Sequence, residues 1–505
     1  MNRIFNRCII TTILLIICDF KMANAQQVPD ELFDDVIPAL EDSVPPENNE
    51  EQLWQSSFPS PEPERHTLSL GLETRPVNSQ QMALMEMMSA KADGVFINGQ
   101  FVLLKNPQRV MDFYQAAQYT TIWTFENQLL NEVEPLQQAL IESEQDGLNP
   151  HRYHLDIIRV LRPQAYYHDI ISLEVLMTDA YLALAGDLAN GIVDPKTIDK
   201  EWNAEPVSDE QLMEWLAAGI RNHDIFTPLH QINADNHRYQ TLKERYNALR
   251  AQGTKATDGL IINMERLRWM PQDWGEQYVI TNIPAFNVEM YRDERKIYET
   301  RAVVGRADRA TPRFINKIQH VVINPTWTVP PTIMRQDKLP KLKNNPAAFD
   351  ASYEAVSASG KIAKPSSVSW SEGNGYSLRQ KSGQYNALGR VKFLFPNKHA
   401  IYMHDTPTRH LFKQNNRARS SGCIRLQKPL ELAEILLADN GWNAQKIQAS
   451  IAKEKQQWVN PVKETPVYLV YWTTYVDANN TIKTTPDVYG LDKKLIRAYK
   501  KSIVQ

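Results

Sequence analysis

The stretch QYVITNIPAFNVEMYRDERKIYETRAVV, residues 277–304, decides the fold of the C-terminal half of the chain. Apolar and polar residues alternate along it, and Val288 and Met290 stand between polar neighbours. A period of two is typical of strands that bury one face. Pro284 interrupts the alternation, and residues 292–295 turn the chain back. The stretch therefore predicts the beginning of a β-sheet.

Further short segments with strand character follow, separated by clusters of Gly, Pro and Asn. They are His320 to Ile323, Val391 to Phe395, Ala400 to His404 and Val467 to Tyr475. One helix is predicted among them, from Pro429 to Asn440, because proline favours a first helical turn and Gly441 can end the helix. The C-terminal part is therefore expected to form a β-rich domain.

Upstream, residues 78–253 carry apolar side chains at helical spacing. The clearest run places six residues on one helix face: Leu173, Leu176, Met177, Ala180, Leu184 and Leu188. Ser208 with Gln211 forms a capping box that predicts the start of another helix. His151 and His154 are interpreted as surface histidines, since no third metal ligand accompanies them. The fold class is α+β, with a helical domain before the β-rich one.

Length and composition limit the function classes. A chain of 505 residues exceeds what one hydrophobic core usually organises, so two or three domains are expected. With 42% hydrophobic and 23% charged residues, the composition excludes wholesale disorder and a polytopic membrane protein. The formal net charge of -3 indicates no surface for neutralising phosphates, so nucleic acid is not an expected partner.

The N-terminal residues predict an exported protein. Residues 1–25 combine Arg3 and Arg7, an apolar run and the small residues Ala23-Asn24-Ala25, which is typical of a cleaved signal peptide. A retained membrane anchor is the alternative, and after cleavage no stable membrane span is expected. Residues 26–77 are acidic and proline-rich, which predicts a disordered spacer.

Cysteine usage singles out one residue. Of the three cysteines, Cys8 and Cys18 leave with the predicted signal peptide, so the mature chain cannot form an internal disulfide. A lone thiol in an oxidising compartment is either buried and inert or kept for its chemistry. Cys423 is therefore a candidate functional residue.

A histidine and turn-forming residues precede this cysteine, in the segments Ile401-Tyr402-Met403-His404-Asp405-Thr406-Pro407 and Arg417-Ala418-Arg419-Ser420-Ser421-Gly422-Cys423-Ile424-Arg425. Cysteine attacks as the thiolate, so it needs a base within reach, and His404 at the end of a predicted strand is the candidate. Gly422 permits a sharp turn that would aim backbone N–H groups at an oxyanion. A buried cysteine beside a histidine by chance is the alternative that the residues leave open.

Three other kinds of site fit these residues less well. Papain-like proteases place the cysteine before the histidine, whereas here the order is reversed. The sequence contains no Gly-x-Ser-x-Gly elbow of a serine hydrolase. A zinc site of Cys423, His404 and His410 lacks both helical spacing and a second cysteine. No metal or other cofactor is expected.

His404 followed by Ser420-Ser421-Gly422-Cys423-Ile424-Arg425 resembles the signature of the L,D-transpeptidases, in particular the large murein-cross-linking enzymes of Gram-negative bacteria. Similar stretches are Asn263 to Pro271, Asn324 to Pro330, and Asn386 to Gly389 with Lys392-Phe393. The resemblance implies a helical scaffold domain followed by a β-rich catalytic domain with a capping insertion. The implied bounds are 78–258 for the scaffold, 259–490 for the catalytic domain, about 331–382 for the cap, and 491–505 for a basic C-terminal tail.

Two departures from that subgroup are visible. Residues 249–263 leave no room for the small peptidoglycan-binding module that usually follows the scaffold, which puts glycan anchoring by that route in doubt. Ser421 stands where many wider family members have histidine, but serine is frequent in the large subgroup and does not indicate inactivation.

The resemblance also implies a reaction. His404 takes the thiol proton, and Cys423 attacks the carbonyl of the third residue of a tetrapeptide stem, which expels the terminal D-alanine and leaves a thioester. An amine on a neighbouring stem then forms a 3→3 cross-link. The remaining implied site residues are Tyr402, Ser421 and Gly422 around the oxyanion or pocket, and Arg425, Thr406 and Trp327 around the substrate. For Arg425 and Trp327, a structural ion pair and core packing are the respective alternatives.

The implied partners are peptidoglycan tetrapeptide stems and cell-wall synthesis proteins, and the implied location is the periplasm. Water as the acceptor would make a carboxypeptidase, and a protein amine would make an anchoring enzyme. A catalytically inactive cell-wall scaffold protein is the alternative from a different functional class. Carbapenems, an inhibitor class of this family, would separate an active cysteine from an idle one.

Overall fold

The computed structural model describes residues 70–72, 78–371 and 375–504. The predicted signal peptide and almost all of the predicted spacer lie outside these residues. No helix within the described ranges combines the length and the apolar character needed to cross a bilayer.

The N-terminal part is mainly helical, as predicted, with two small hairpins between the helices. The helices are α1 Ser79–Ser89, α2 Pro107–Ala116, α3 Val133–Glu142, α4 Leu155–Ile158, α5 Ile170–Asn190, α6 Pro195–Ile198, α7 Asp209–Arg221, α8 Phe226–Gln231 and α9 His237–Ala251. The strands are β1 Gly94–Ile97, β2 Gln100–Leu103, β3 Thr124–Phe125 and β4 Gln128–Leu129. The predicted helix start at Ser208 is confirmed, since Ser208 Oγ accepts from the Gln211 N–H at the start of α7.

Helix α5 forms the centre of this part and is buried on nearly all sides. The predicted apolar face is buried, but so is Glu174 on another face. The Glu174 carboxylate accepts the N–H groups of Ile122 at 2.6 Å and Trp123 at 3.0 Å, which fixes the loop before β3. Buried polar groups are tolerated when they are hydrogen-bonded in this way.

Asp179, farther along α5, is a second buried carboxylate that fixes a neighbouring loop by accepting backbone N–H groups. Its carboxylate accepts the N–H groups of Lys105 and Asn106 and contacts His154 Nε2 at 2.7 Å. The prediction of a surface location is therefore wrong for His154, which is buried. His151 does lie at the surface, where it contacts Asp156.

The C-terminal part is a large curled sheet with helices on it. Its helices are α10 Asp258–Arg268, α11 Pro331–Ile333, α12 Leu339–Asn344, α13 Pro429–Leu437, α14 Ala444–Ala452 and α15 Leu491–Ser502. Its strands are β5 Gln277–Asn282, β6 Asn287–Arg292, β7 Arg295–Gly305, β8 Ile315–Ile318, β9 His320–Ile323, β10 Trp327–Thr328, β11 Tyr353–Ser357, β12 Ile362–Ala363, β13 Tyr376–Gln380, β14 Val391–Leu394, β15 Met403–His404, β16 Ala418–Ser420, β17 Ile424–Leu426, β18 Gln457–Val459, β19 Thr465–Val470, β20 Thr474–Val476 and β21 Ile482–Thr484. The main sheet has the order β18-β9-β14-β15-β17-β7-β6-β5-β19-β8, with β16 paired to β7.

The period of two in residues 277–304 is confirmed by which core each side chain enters. Val288 and Met290 join an apolar core with helix α13, whereas Tyr278 and Ile280 join a second core on the opposite face. The sheet is thus covered on both sides at this point.

The insertion between β9 and β14 is a small subdomain of its own. Strands β10, β13, β11 and β12 form a four-stranded sheet in that order, and helices α11 and α12 accompany it. Its apolar residues share a cluster with Tyr402 and Cys423 of the main sheet. The subdomain therefore covers the sheet face that carries the predicted site, which is the position expected of a cap.

The scaffold and the catalytic part share one core rather than meeting at an open linker. Tyr239 and Leu242 of α9 belong to the same cluster as Tyr278 of β5 and Tyr499 of α15. The segment expected to be a basic tail forms helix α15, with Leu495 and Tyr499 buried.

Candidate active site

The two predicted catalytic residues lie on neighbouring strands. β15 and β17 run parallel, with His404 opposite Arg425. Because successive side chains of a strand point to opposite faces, Cys423 shares a face with His404 and Arg425. Diagonal neighbours on such a face lie about 7–8 Å apart, which is within reach of a histidine side chain.

His404 is buried and held in one tautomer. Its Nδ1 lies within hydrogen-bonding distance of the Asp405 carbonyl oxygen, which can only accept, so Nδ1 carries the proton. Asp405 is fixed in turn, because its N–H donates to Val391 and its carboxylate accepts from Arg409 Nη2 at 2.7 Å. Nε2 therefore has the free lone pair and can act as a base.

Cys423 is packed between the main core and the cap. Its thiol donates to the Ala400 carbonyl at 3.7 Å, and Ala400 adopts a left-handed conformation with φ +51°. Among the described residues, no hydrogen bond joins the thiol to His404. The sequence thus predicts the shared location of the two groups, but proton transfer requires the thiol to leave the Ala400 carbonyl.

A network of hydroxyl groups fixes the turn before the thiol. Ser420 Oγ donates to the Cys423 carbonyl at 2.6 Å and accepts the Gly422 N–H at 3.1 Å. Gly422 has φ +119°, and a Cβ there would lie 2.9 Å from Ile401 Cδ1. The backbone therefore favours glycine at the position where the sequence predicts a sharp turn.

Burial keeps both groups uncharged at neutral pH. Burial, aided by the charges of Arg425 and Lys392, lowers the pKa of His404 to about 3. Burial raises the pKa of Cys423 to about 11, although Tyr402 and Arg425 act in the opposite direction. At neutral pH the resting pair is a thiol and a neutral imidazole.

Arg425 extends into the same face without an acidic partner. Within the described ranges it makes no ion pair with a carboxylate, and its buried Nε has no hydrogen-bond partner. Tyr402 lies opposite Cys423, with its ring centroid 5.6 Å from that of His404. These two predicted residues lie beside the candidate pair of Cys423 and His404.

The other predicted residues occupy supporting positions. Ser421 Oγ accepts from Arg309 Nη1 at 3.0 Å, and Arg309 also contacts Asp337 of the cap. Thr406 is buried, and its hydroxyl accepts the Thr408 N–H. Trp327 is buried in the cap core, which favours the packing alternative for that residue.

Sequence reasoning missed the groups that hold the pair in place. The Asp405 carbonyl orients the imidazole, and Thr311 Oγ1 donates to the Gly422 carbonyl at 2.7 Å. Asp405 stands next to His404 but acts through its backbone, which every residue has. Thr311 is 111 positions from Gly422, so no local pattern connects them.

No group of three or more His, Cys, Asp and Glu side chains suited to a metal occurs in the described part of the chain. His410, which was considered as a ligand, is exposed. The chemistry available here is that of a thiol, an imidazole and a guanidinium.

Comparison with known families finds one match in the helical N-terminal part and another in the β-rich C-terminal part. Residues 276–469 match the family described as L,D-transpeptidase catalytic domain, and residues 108–245 match the family described as Scaffold domain. The first match contains both His404 and Cys423. The fold class and the family resemblance are confirmed at the level of these two domains.

Individual proteins give further likenesses. A Haemophilus influenzae protein named "Putative L,D-transpeptidase" is 33% identical over 301 residues, which are 58% of this chain and 60% of that protein. The chain thus spans less than two thirds of that relative's length. A solved structure titled "Structure of the Ldtfm-avibactam carbamoyl enzyme" is similar over 39% of this chain and 49% of its own, at 10% identity and TM-score 0.19, and supports no conclusion on its own.

Proposed function

We propose, from the premise that this chain carries an L,D-transpeptidase catalytic domain at residues 276–469, that it is a peptidoglycan L,D-transpeptidase forming 3→3 cross-links. The observation that carries the proposal is the placement of Cys423 and His404 on one covered face of adjacent parallel strands, with Nε2 of His404 free to accept a proton.

The first half-reaction is acylation of Cys423. Its sulfur attacks the carbonyl of the third stem residue while His404 Nε2 takes the thiol proton. That proton passes to the nitrogen of the departing D-alanine, so the imidazole is neutral again when the thioester has formed. The pair is uncharged at rest, so we infer that deprotonation and attack occur together rather than through a stored thiolate.

The second half-reaction transfers the acyl group. A side-chain amine of another stem attacks the thioester, loses its proton through His404, and leaves Cys423 as the thiol. We assign Arg425 to a stem carboxylate, because its planar guanidinium suits bidentate binding and no described carboxylate pairs with it. Tyr402 lines the pocket opposite the nucleophile.

The oxyanion donor is assigned to the Cys423 N–H. The Gly422 N–H, predicted as a donor, is already bound to Ser420 Oγ. The N–H groups of Gly422 and Cys423 belong to the backbone, so substituting a side chain at either position does not remove them. A test of the oxyanion donor must instead change a residue that orients these N–H groups.

We further propose that the protein is exported to the periplasm and that the scaffold domain contacts cell-wall synthesis proteins. The signal-like residues 1–25 and the scaffold match at residues 108–245 support these assignments. Fractionation of Gram-negative cells, followed by immunodetection, should place the protein in the periplasm. Recovery from the cytoplasm would contradict the assignment.

Intact-mass analysis after exposure to a carbapenem tests the nucleophile. We expect one covalent adduct on the wild type and none on Cys423→Ala, because only the sulfur can open the lactam. A well-folded wild-type protein without an adduct would favour an idle wall scaffold. With tetrapeptide donors, release of tripeptide instead of dimer would indicate the carboxypeptidase alternative, and labelling of a protein amine would indicate the anchoring one.

A further inference from the structure

The hydroxyl group of Thr311 joins two backbone segments beneath the candidate nucleophile. Thr311 is fully buried, in the connection between β7 and β8. Its Oγ1 lies 2.9 Å from the Gly305 nitrogen and 2.7 Å from the Gly422 carbonyl oxygen. The Gly305 N–H can only donate and the Gly422 carbonyl can only accept, so the hydroxyl proton must point at Gly422.

The hydrogen bond from Thr311 Oγ1 to the Gly422 carbonyl fixes the whole peptide plane between Gly422 and Cys423. In a trans peptide, the carbonyl oxygen and the following N–H lie in one plane and point in opposite directions. Anchoring the Gly422 oxygen on Thr311 therefore directs the Cys423 N–H away from Thr311. No described residue accepts a hydrogen bond from that N–H.

Neighbouring contacts hold Thr311 itself. The Thr311 N–H donates to Tyr489 Oη at 3.2 Å. The Tyr489 hydroxyl in turn donates to the Gly305 carbonyl at 2.6 Å. Tyr489 thus ties Thr311 to the end of β7, which pairs with β17. The glycine turn, with φ +119° at Gly422, would otherwise have freedom to rotate this peptide.

We propose that Thr311 is a positioning residue that presets the Cys423 N–H as the oxyanion donor. The inference rests on the proposed function, because it assigns a role in the acyl transfer at Cys423. An N–H that is aimed before the reaction stabilises the tetrahedral intermediate without reorganisation, and loss of one such donor costs about 10²–10³ in rate. Thr311 touches neither the substrate nor the reacting atoms.

Two reactions of the same sulfur separate this role from a structural one. Carbapenem acylation passes through an oxyanion, whereas alkylation by iodoacetamide displaces iodide and forms none. In the full-length Thr311→Val protein, which keeps the shape but lacks the hydroxyl, we expect acylation to slow by about 10-fold to 10²-fold. Alkylation of Cys423, measured on the peptide by mass spectrometry, should stay within about 2-fold of wild type, since nucleophilicity depends on the thiolate and not on an oxyanion donor.

Two further variants complete the design. Thr311→Ser retains the hydroxyl and should recover most of the acylation rate. Thr281→Val removes another buried threonine hydroxyl of the same sheet, one without a partner among the described residues, and should leave both rates unchanged.

The inference is overturned if Thr311→Val acylates as fast as wild type, if acylation and alkylation fall in equal proportion, or if Thr311→Ser is as slow as Thr311→Val. Absence of acylation in the wild type would instead refute the proposed function, and this inference would fall with it.

Discussion

At the scale of single residues, the site combines an uncharged thiol with an uncharged imidazole. The sequence predicts a cysteine activated by a histidine, and both residues do share one face of the sheet. Burial under the cap makes either charge costly, so the resting thiol is bonded to the Ala400 carbonyl instead.

This state predicts an unusual response to pH. Because burial raises the pKa of Cys423 to about 11, the thiolate fraction at pH 7 is smaller than for free cysteine and grows as the pH rises. Iodoacetamide should alkylate Cys423 more slowly than free cysteine at pH 7, and the rate should still be increasing at pH 9.5. Peptide mass spectrometry against pH measures both, and a plateau below pH 8 would show a stored thiolate.

The turn at Gly422 gives a second residue-scale prediction. Gly422→Ala places a Cβ against Ile401 in a backbone conformation that L residues rarely adopt, which costs about 1–3 kcal/mol. We expect a lower midpoint of denaturation and slower carbapenem acylation. Gly360→Ala is the matched control, because Gly360 also has a positive φ, +79°, but open space around it. Equal effects of the two substitutions on acylation would contradict a special role for Gly422.

Local spacing reveals the chemical groups of the site but not their supports. The thiol, the imidazole and Gly422 lie within 20 residues and are recognisable as side-chain types. The supports are a backbone carbonyl at Asp405 and a hydroxyl at Thr311, and neither has a pattern in the sequence.

At the scale of elements, periodicity predicts strands well where one side chain in two enters a core. Strand β6 and the first part of β7 follow that rule, whereas β5 is buried on both faces. The predicted strand from Ala400 to His404 is shorter than expected, because the left-handed conformation of Ala400 delays extended pairing until Met403. Strands of two or three residues, such as β15 and β17, are set by their partners and not by their own sequence.

In helix α5, the sequence pattern again predicts only part of what is buried, and this leads to a testable prediction. Periodicity identifies its apolar face but not the buried Glu174, whose pKa is raised to about 7 by burial. The folded state therefore binds more protons than the unfolded state between pH 4.5 and about 7, so the free energy of unfolding should fall as the pH rises through this window.

Urea denaturation of wild type and Glu174→Gln at several pH values measures this effect. The wild type should lose up to about 1.4 kcal/mol per pH unit relative to the variant within the window. Four groups donate to Glu174, namely the N–H groups of Ile122 and Trp123 and the hydroxyl groups of Tyr114 and Thr124. Parallel pH profiles would mean that these donors keep the carboxylate ionised in the folded state as well.

At the scale of the whole molecule, the scaffold and the catalytic part are expected to unfold as one unit. The sequence predicts the change from helical spacing to a period of two between them, but not the core that they share, since local patterns do not show contacts between α9 and β5. Arg268 lies at this junction, bonded to Glu265 at 3.0 Å and to Tyr239 Oη at 2.6 Å. All three side chains are buried.

Arg268→Met should therefore destabilise both parts together. Removing one member of a buried ion pair leaves an uncompensated charge and costs about 3–5 kcal/mol. The exposed pair of Arg250 with Glu144 is the matched control, and Arg250→Met should cost about 0–1 kcal/mol. Calorimetry should show one transition that shifts down only for Arg268→Met, whereas two separate transitions would contradict a shared core.

The most direct measurement uses purified protein with disaccharide tetrapeptide and mass spectrometry of the products. The wild type should form 3→3 linked dimers and release one D-alanine for each link, and both Cys423→Ala and His404→Ala should form none. Unchanged tetrapeptide with a folded wild-type protein, or dimers formed by Cys423→Ala, would contradict acyl transfer through this thiol.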